Sequence, residues 1–441
     1  MDLMELIAVW QASLTITIDT FLNIAGSDPF TAMGYLFIRG GWVIFVPALW
    51  YIAKEAYLNN IQNKAGAKRS WVLLRISVPK MHEQTVKAVE NLFAQLAGAH
   101  SAPSFKEKWI DGMTQAPISV EIVSVDGITS FYVYALKGLR DLIESAVFAQ
   151  YPDAEIEDVI DADYAKVPPT HYPDAEWDMW GAELTNVRPD PYPLKTYRDF
   201  EDMVSGEFKD PLAALFEVMA RLGKDEQLWL QYILYPTDQK GPLDRAKAEV
   251  EKLKGIVKVP KPSLIDEIIT LPLKMIGLIG EPSPGSKPEL DKKMTGLTAG
   301  EKMVLESIER KTSKVGFECK IRFIYTGKRT VFNKGKIGAA FIGAIKQFNT
   351  FNMQALKPDF KKTGMSGSII LFKDRRNNER KSSLMTAYRK RSSGMGLARF
   401  FMSTEELATL WHFPILIQAK SPALLRTESK KQEAPSYIPF E

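Results

Sequence analysis

From Phe131 to Pro152 the chain reads FYVYALKGLRDLIESAVFAQYP, an aromatic and β-branched run that passes into an amphipathic helix and stops at a proline. In its second half Leu139, Leu142, Ile143, Ala146 and Val147 recur at spacings of three and four. One apolar stripe therefore faces a sheet, while Lys137, Arg140, Asp141 and Glu144 face water. The flanking segments show the same two periods. WVLLRISV (71–78) predicts a strand, and residues 83–96 place Val86, Val89, Leu92, Phe93 and Leu96 on one helical face. ISVEIVSV (118–125) alternates, and Asp126-Gly127 is a two-residue hairpin turn into residues 128–135. With residues 155–160 as a last strand the order is βαββαβ, the split-βαβ or ferredoxin-like arrangement.

After a proline-rich connector, residues 167–173, the pattern starts again. Strands are expected at 179–186 and 227–235, with a helix at 211–222 that begins after Asp210 as a cap. The chain then leaves this pattern for a charged helix at 243–253, an apolar segment LIDEIITLPLKMIGLI (264–279) and a polar Pro/Ser/Lys loop at 281–293. The apolar segment is read as packing on the second sheet or on a partner, with contact to a bilayer as the alternative. A helix at 298–311, a strand at 317–325, a helix at 338–348 and a short strand near 353–356 complete the second pass. The expected fold is thus α+β, with two tandem ferredoxin-like domains at 68–166 and 174–360, the second carrying a helical insertion at about 240–297.

Upstream, MGYLFIRGGWVIFVPALWYIA (33–53) approaches the ~20 apolar residues that cross a bilayer, and Arg39 is its only charge. It predicts an N-terminal transmembrane helix inside a membrane region spanning residues 1–67. The amphipathic stretch 6–25 is read as interfacial. Acidic residues (Asp2, Glu5, Asp19, Asp28) precede the apolar run, and Lys54, Lys64, Lys68 and Arg69 follow it. The positive-inside rule then gives a single-pass protein of the inner membrane with its large C-terminal part in the cytoplasm.

The net charge of +4 conceals a local imbalance. Residues 357–399 hold twelve Lys/Arg against three Asp/Glu, so the rest of the chain is acidic on balance. Lys361, Lys362, Lys373, Arg375, Arg376, Arg380, Lys381, Arg389, Lys390 and Arg391 lie among Ser, Gly and Asn. Together they read as a solvated loop or as candidate contacts to anionic lipid or DNA. The acidic cluster Asp153, Glu155, Glu157, Asp158, Asp161 and Asp163 fits the wet side of an edge strand better than a metal site. One cysteine, Cys319, excludes an intramolecular disulfide. No G-x-x-x-x-G-K-[ST] occurs, and His82, His100, His171 and His412 lack the spacing of a helical zinc site, so no catalytic residue, cofactor or metal is expected. STEELATLWHFP (403–414) opens with a capping box and buries Leu407, Leu410 and Trp411 before a proline, ahead of an extended tail at 430–439.

Two of these motifs, FYVYALKGLRDLIESAVFAQYPDAEI and STEELATLWHFP, taken in order, resemble the membrane-proximal, non-motor region of conjugative coupling ATPases of the type IV secretion kind. The resemblance runs from about Trp71 to Glu441, and none of the motor's motifs is present. It implies a non-enzymatic, membrane-anchored scaffold or docking subunit of a secretion-like or conjugation-like machine. Such a subunit would work with a separate motor ATPase and could form a homo-oligomer. The alternative is a membrane-surface module that binds anionic lipid or DNA through the basic segment.

Overall fold

Helix α1 (Phe45–Ala67) precedes β1 (Trp71–Ser77), α2 (Val86–Leu96), the short α3 (Phe105–Trp109), the hairpin β2 (Ile118–Val125) and β3 (Ile128–Leu136), α4 (Arg140–Phe148) and β4 (Glu155–Asp158). The computed structural model describes residues 45–79, 84–201, 208–254, 298–365 and 372–415, together with residues 23, 30 and 31. The β2–β3 turn needs left-handed backbone at both central positions. Asp126 (φ 52°) and Gly127 (φ 82°) supply it. These strands pair antiparallel in the order β4-β1-β3-β2.

The second half comprises β5 (Trp177–Asn186), α5 (Ala213–Ala220), β6 (Glu226–Pro236), α6 (Lys240–Leu253), α7 (Ala299–Thr312), β7 (Gly316–Lys328), α8 (Lys334–Lys346) and β8 (Leu356–Pro358). Its strands run β6-β7-β5-β8, the reverse of the first half's order. A closing segment adds α9 (Lys373–Arg389), β9 (Phe400–Ser403), which pairs with the start of β7, and α10 (Thr404–Leu410).

The expected fold class needs correcting in two respects. The molecule is α+β, but the two sets of strands are not tandem domains: they form one nine-stranded antiparallel sheet. The join is β2 on β6, in register from Ile118↔Leu234 to Val125↔Gln227. Its physical reason is edge satisfaction. A lone first half would leave the β2 ladder open beside buried Ile118, Val120 and Ile122, and β6 closes it. The second correction concerns the transmembrane helix. Among the described residues no helix is long and apolar enough to cross a membrane. Helix α1 overlaps the expected span only at its beginning and runs on through Lys54, Glu55, Asn59, Asn60 and Lys64, so the apolar run ends inside a helix that becomes polar. Residues 33–44 lie outside the described residues, as do the segments at 6–22, 264–279, 281–293 and 430–439.

Alternation along the strands builds two cores. Helices α2, α4, α5, α8 and α10 cover one face over Leu74, Val120, Val133, Leu230, Ile321 and Phe323. The other face is smaller, and Leu384, Met385 and Tyr388 of α9 close it against Leu73, Tyr132, Met179, Trp229 and Ile324. Both edges resist further pairing. Glu155, Glu157 and Asp158 are exposed on β4, and at β8 the Asn349 amide occupies the N–H and C=O of Leu356 (2.8 and 3.0 Å). Helix α1 and residues 103–114 form a compact unit of their own, distinct from the unit that holds the sheet.

Candidate functional site

The STEELATLWHFP motif is core rather than surface, since every residue from Ser403 to Pro414 is buried. It meets the Phe131–Pro152 motif directly. Phe131 lies 5.6 Å from Trp411 and 4.8 Å from Phe413 between ring centroids, and Tyr151 lies 5.0 Å from Phe413. Trp411 also packs on Phe93 of α2 at 5.7 Å. The two motifs, far apart in the chain, are one packing unit.

The front of α10 forms the floor of a cleft of about 500 Å³, walled by α7, residues 193–199 and the turn 350–353. Ser403 caps the helix, and Glu406 reaches back to its N–H (2.9 Å) and hydroxyl (3.1 Å). The other Glu406 oxygen accepts from Leu194 N–H at 2.8 Å and pairs with Lys311 Nζ at 3.1 Å. Glu405 takes Arg310 at 3.1 Å, Arg198 at 3.5 Å and Lys314. Burial alone would raise the Glu405 pKa, but the hydrogen bond from Lys314, with Arg310 nearby, holds it below the usual carboxylate value. Lys314 continues to Glu90 at 2.8 Å, which also accepts from Tyr197 at 2.7 Å.

The floor carboxylates are paired within the protein, and the guanidiniums that pair with Glu405 keep part of their surface in solvent. Arg198 and Arg310 are about half exposed at their side chains (48% and 52%), Met303 is 58% exposed, and Phe351 at the tip of the 350–353 turn is fully exposed. The site combines a buried, ion-paired floor with partly exposed guanidiniums and an exposed Met303. Among the described residues no group of three or more His, Cys, Asp or Glu side chains gathers as a metal site. The sequence signalled the floor through its capping box. It gave no comparable signal for Arg198, Arg310 or Met303.

The ten basic candidates divide. Arg380 donates to the carbonyls of Phe360 (3.2 Å), Lys361 (2.6 Å) and Gly364 (3.0 Å), Lys381 pairs with Asp178, and Arg389 donates to Ala165 O at 2.9 Å. Arg391 is buried, bidentate on Glu121 (3.1 and 3.2 Å) and paired with Asp163 (2.5 Å). Asp163 therefore does not share the wet edge with its acidic neighbours. Glu121 heads a polar row across the centre of the sheet: Gln231 donates to it at 2.9 Å, and Arg322 joins Glu183 at 2.7 Å on the far side. Lys361, Lys362, Lys373, Arg375, Arg376 and Lys390 are exposed. The segment from 373 to 389 is a helix, not a loop.

Residues 53–420 match a family described as a domain of unknown function (DUF8128). The chain belongs to that family. No curated protein matches it.

Proposed function

We propose that the chain is a non-catalytic docking subunit of a larger assembly and that the α7/α10 cleft seats a segment of a partner protein. The observation that carries this reading is the cleft itself: a largely exposed Met303 in its wall and half-exposed Arg198 and Arg310 over a floor fixed by buried ion pairs, with the fully exposed Phe351 on the turn whose Thr350, Asn352 and Met353 line it. Aromatic, Met and Arg side chains are the types that anchor interfaces. The resemblance of both packed motifs to the non-motor region of coupling ATPases favours a separate motor ATPase as the partner, in a secretion-like or conjugation-like machine.

The test is a photo-crosslinking amino acid at position 351, with position 331 as a control of similar chain context outside the cleft. A motor ATPase crosslinked from 351, not from 331, and lost on Arg310→Glu supports the proposal. Identical products from both positions, or ATP hydrolysis by the purified chain alone, would overturn it.

A further inference from the structure

The small unit made by α1 and residues 103–114 has a surface that the docking reading does not use. Its two helices are joined by polar contacts: Tyr57 Oη donates to Trp109 O at 3.2 Å, and Arg69 donates to Thr114 O at 2.8 Å and to its hydroxyl at 3.1 Å. A capping box, Ser104 with Glu107, starts α3. Lys54 Nζ sits over the rings of Tyr51 (5.8 Å) and Trp109 (5.7 Å). The apolar side chains point outward. Trp50 is 74% exposed, Phe105 77% and Ile110 64%, and Leu49, Tyr51, Ile52 and Met113 are exposed as well.

Leu49, Trp50, Tyr51 and Ile52 are consecutive, so they surround α1 instead of lining one stripe. Exposed rings and aliphatic side chains with lysines beside them suit a layer that presents acyl chains and anionic headgroups together. Lysines are interleaved with these residues, as Lys54 in α1 and Lys106 and Lys108 in α3, and Lys64, Lys68 and Arg69 follow. Amphipathic aromatic rings together with cations are the composition of protein segments that sit at a bilayer's headgroup layer. We infer that this unit rests in the headgroup layer of an anionic membrane, with Phe105, Ile110 and the exposed side chains at 49–52 of α1 inserted.

Site-directed fluorescence tests this in the full chain, because Cys319 is buried and leaves introduced cysteines as the sites of labelling. Phe105→Cys and Ile110→Cys carry an environment-sensitive NBD label, and Phe351→Cys serves as the control. On vesicles of phosphatidylcholine with about one third phosphatidylglycerol, the labels at 105 and 110 are expected to shift to the blue and brighten at least about twofold. The response should be weaker on pure phosphatidylcholine, and the label at 351 should not change. Phe105→Asp combined with Ile110→Asp should weaken vesicle binding by about tenfold or more. Three results would overturn the inference: no vesicle binding, co-sedimentation with labels at 105 and 110 still in water, or a blue shift that follows protein concentration without vesicles. The last would assign the surface to a second copy of the chain.

Discussion

Asp210 shows what one buried charge does in this molecule. Its Oδ1 accepts from Leu212 N–H (2.7 Å) and faces His412 Nε2 (3.1 Å), and its Oδ2 accepts from Ile415 N–H (3.2 Å). Burial alone would raise its pKa, but His412 and the two backbone donors outweigh that and hold it below the ordinary 3.8. The stabilisation is therefore complete above the unfolded value of 3.8 and is lost as pH falls through the lower folded value. Asp210→Ala is expected to cost about 3 kcal/mol at neutral pH, because it orphans a buried imidazole and two N–H groups. Urea titrations of both proteins, taken from about pH 5 downward, should show the gap narrowing once the pH falls below 3.8. Arg391 makes the same point from the cationic side. Arg391→Ala leaves Glu121 and Asp163 buried without their partner and should cost about 3–5 kcal/mol in the same assay. Arg391→Lys should restore little, since a lysine cannot reproduce the bidentate fork. The sequence presented Arg391 and Lys390 as neighbours in one basic run. Nothing in composition distinguishes the inward side chain from the outward one, because the distinction is made by Glu121 and Asp163, far away in the chain.

At the scale of elements, the strands and helices with a clear two- or 3.6-residue period could be read from sequence to within a few residues. Helix α9 could not. Its first three turns are almost wholly polar, KDRRNNERKSS, and only Leu384, Met385, Ala387 and Tyr388 are buried. Tertiary contact, not local pattern, holds it, through Arg380 and Arg389 on backbone carbonyls and Tyr388 on Tyr164 at 2.9 Å. The cleft was half readable for the same reason: the capping box of α10 is local, whereas the rim is assembled from three distant segments. Trp411 tests how the two motifs act as one element pair. Trp411→Ala removes a side chain wedged among Phe93, Phe131 and Phe413 and should cost about 3–5 kcal/mol by guanidinium unfolding. Its indole N–H has no hydrogen-bond acceptor among the described residues. Trp411→Phe therefore gives up no polar contact and should cost less than half as much.

For the whole molecule, the decisive fact is the seam between β2 and β6, which the sequence could not reveal. Periodicity assigns a strand's inward face but not its lateral neighbour, and βαββαβ written twice is equally compatible with two separate sheets. What selects the single sheet is the cost of leaving two apolar edges open. β2 and β6 are buried along nearly their whole lengths, and the polar row of Glu121, Gln231, Arg322 and Glu183 crosses the seam in register. Split in two, the chain would expose both ladders and break that row between Glu121 and Gln231, which are 2.9 Å apart. The prediction is that neither half is an independent domain. A fragment of residues 70–166 should self-associate or aggregate through its open β2 edge, and its amide spectrum should lack the dispersion of a folded monomer. In the intact chain, hydrogen exchange should protect β2 and β6 to the same free energy, as parts of one cooperative unit. A fragment that is monomeric, well dispersed and as stable as the full chain would show that the seam only joins two finished domains. Equal protection across the seam, together with an unstable fragment, would show that the sheet is the folding unit.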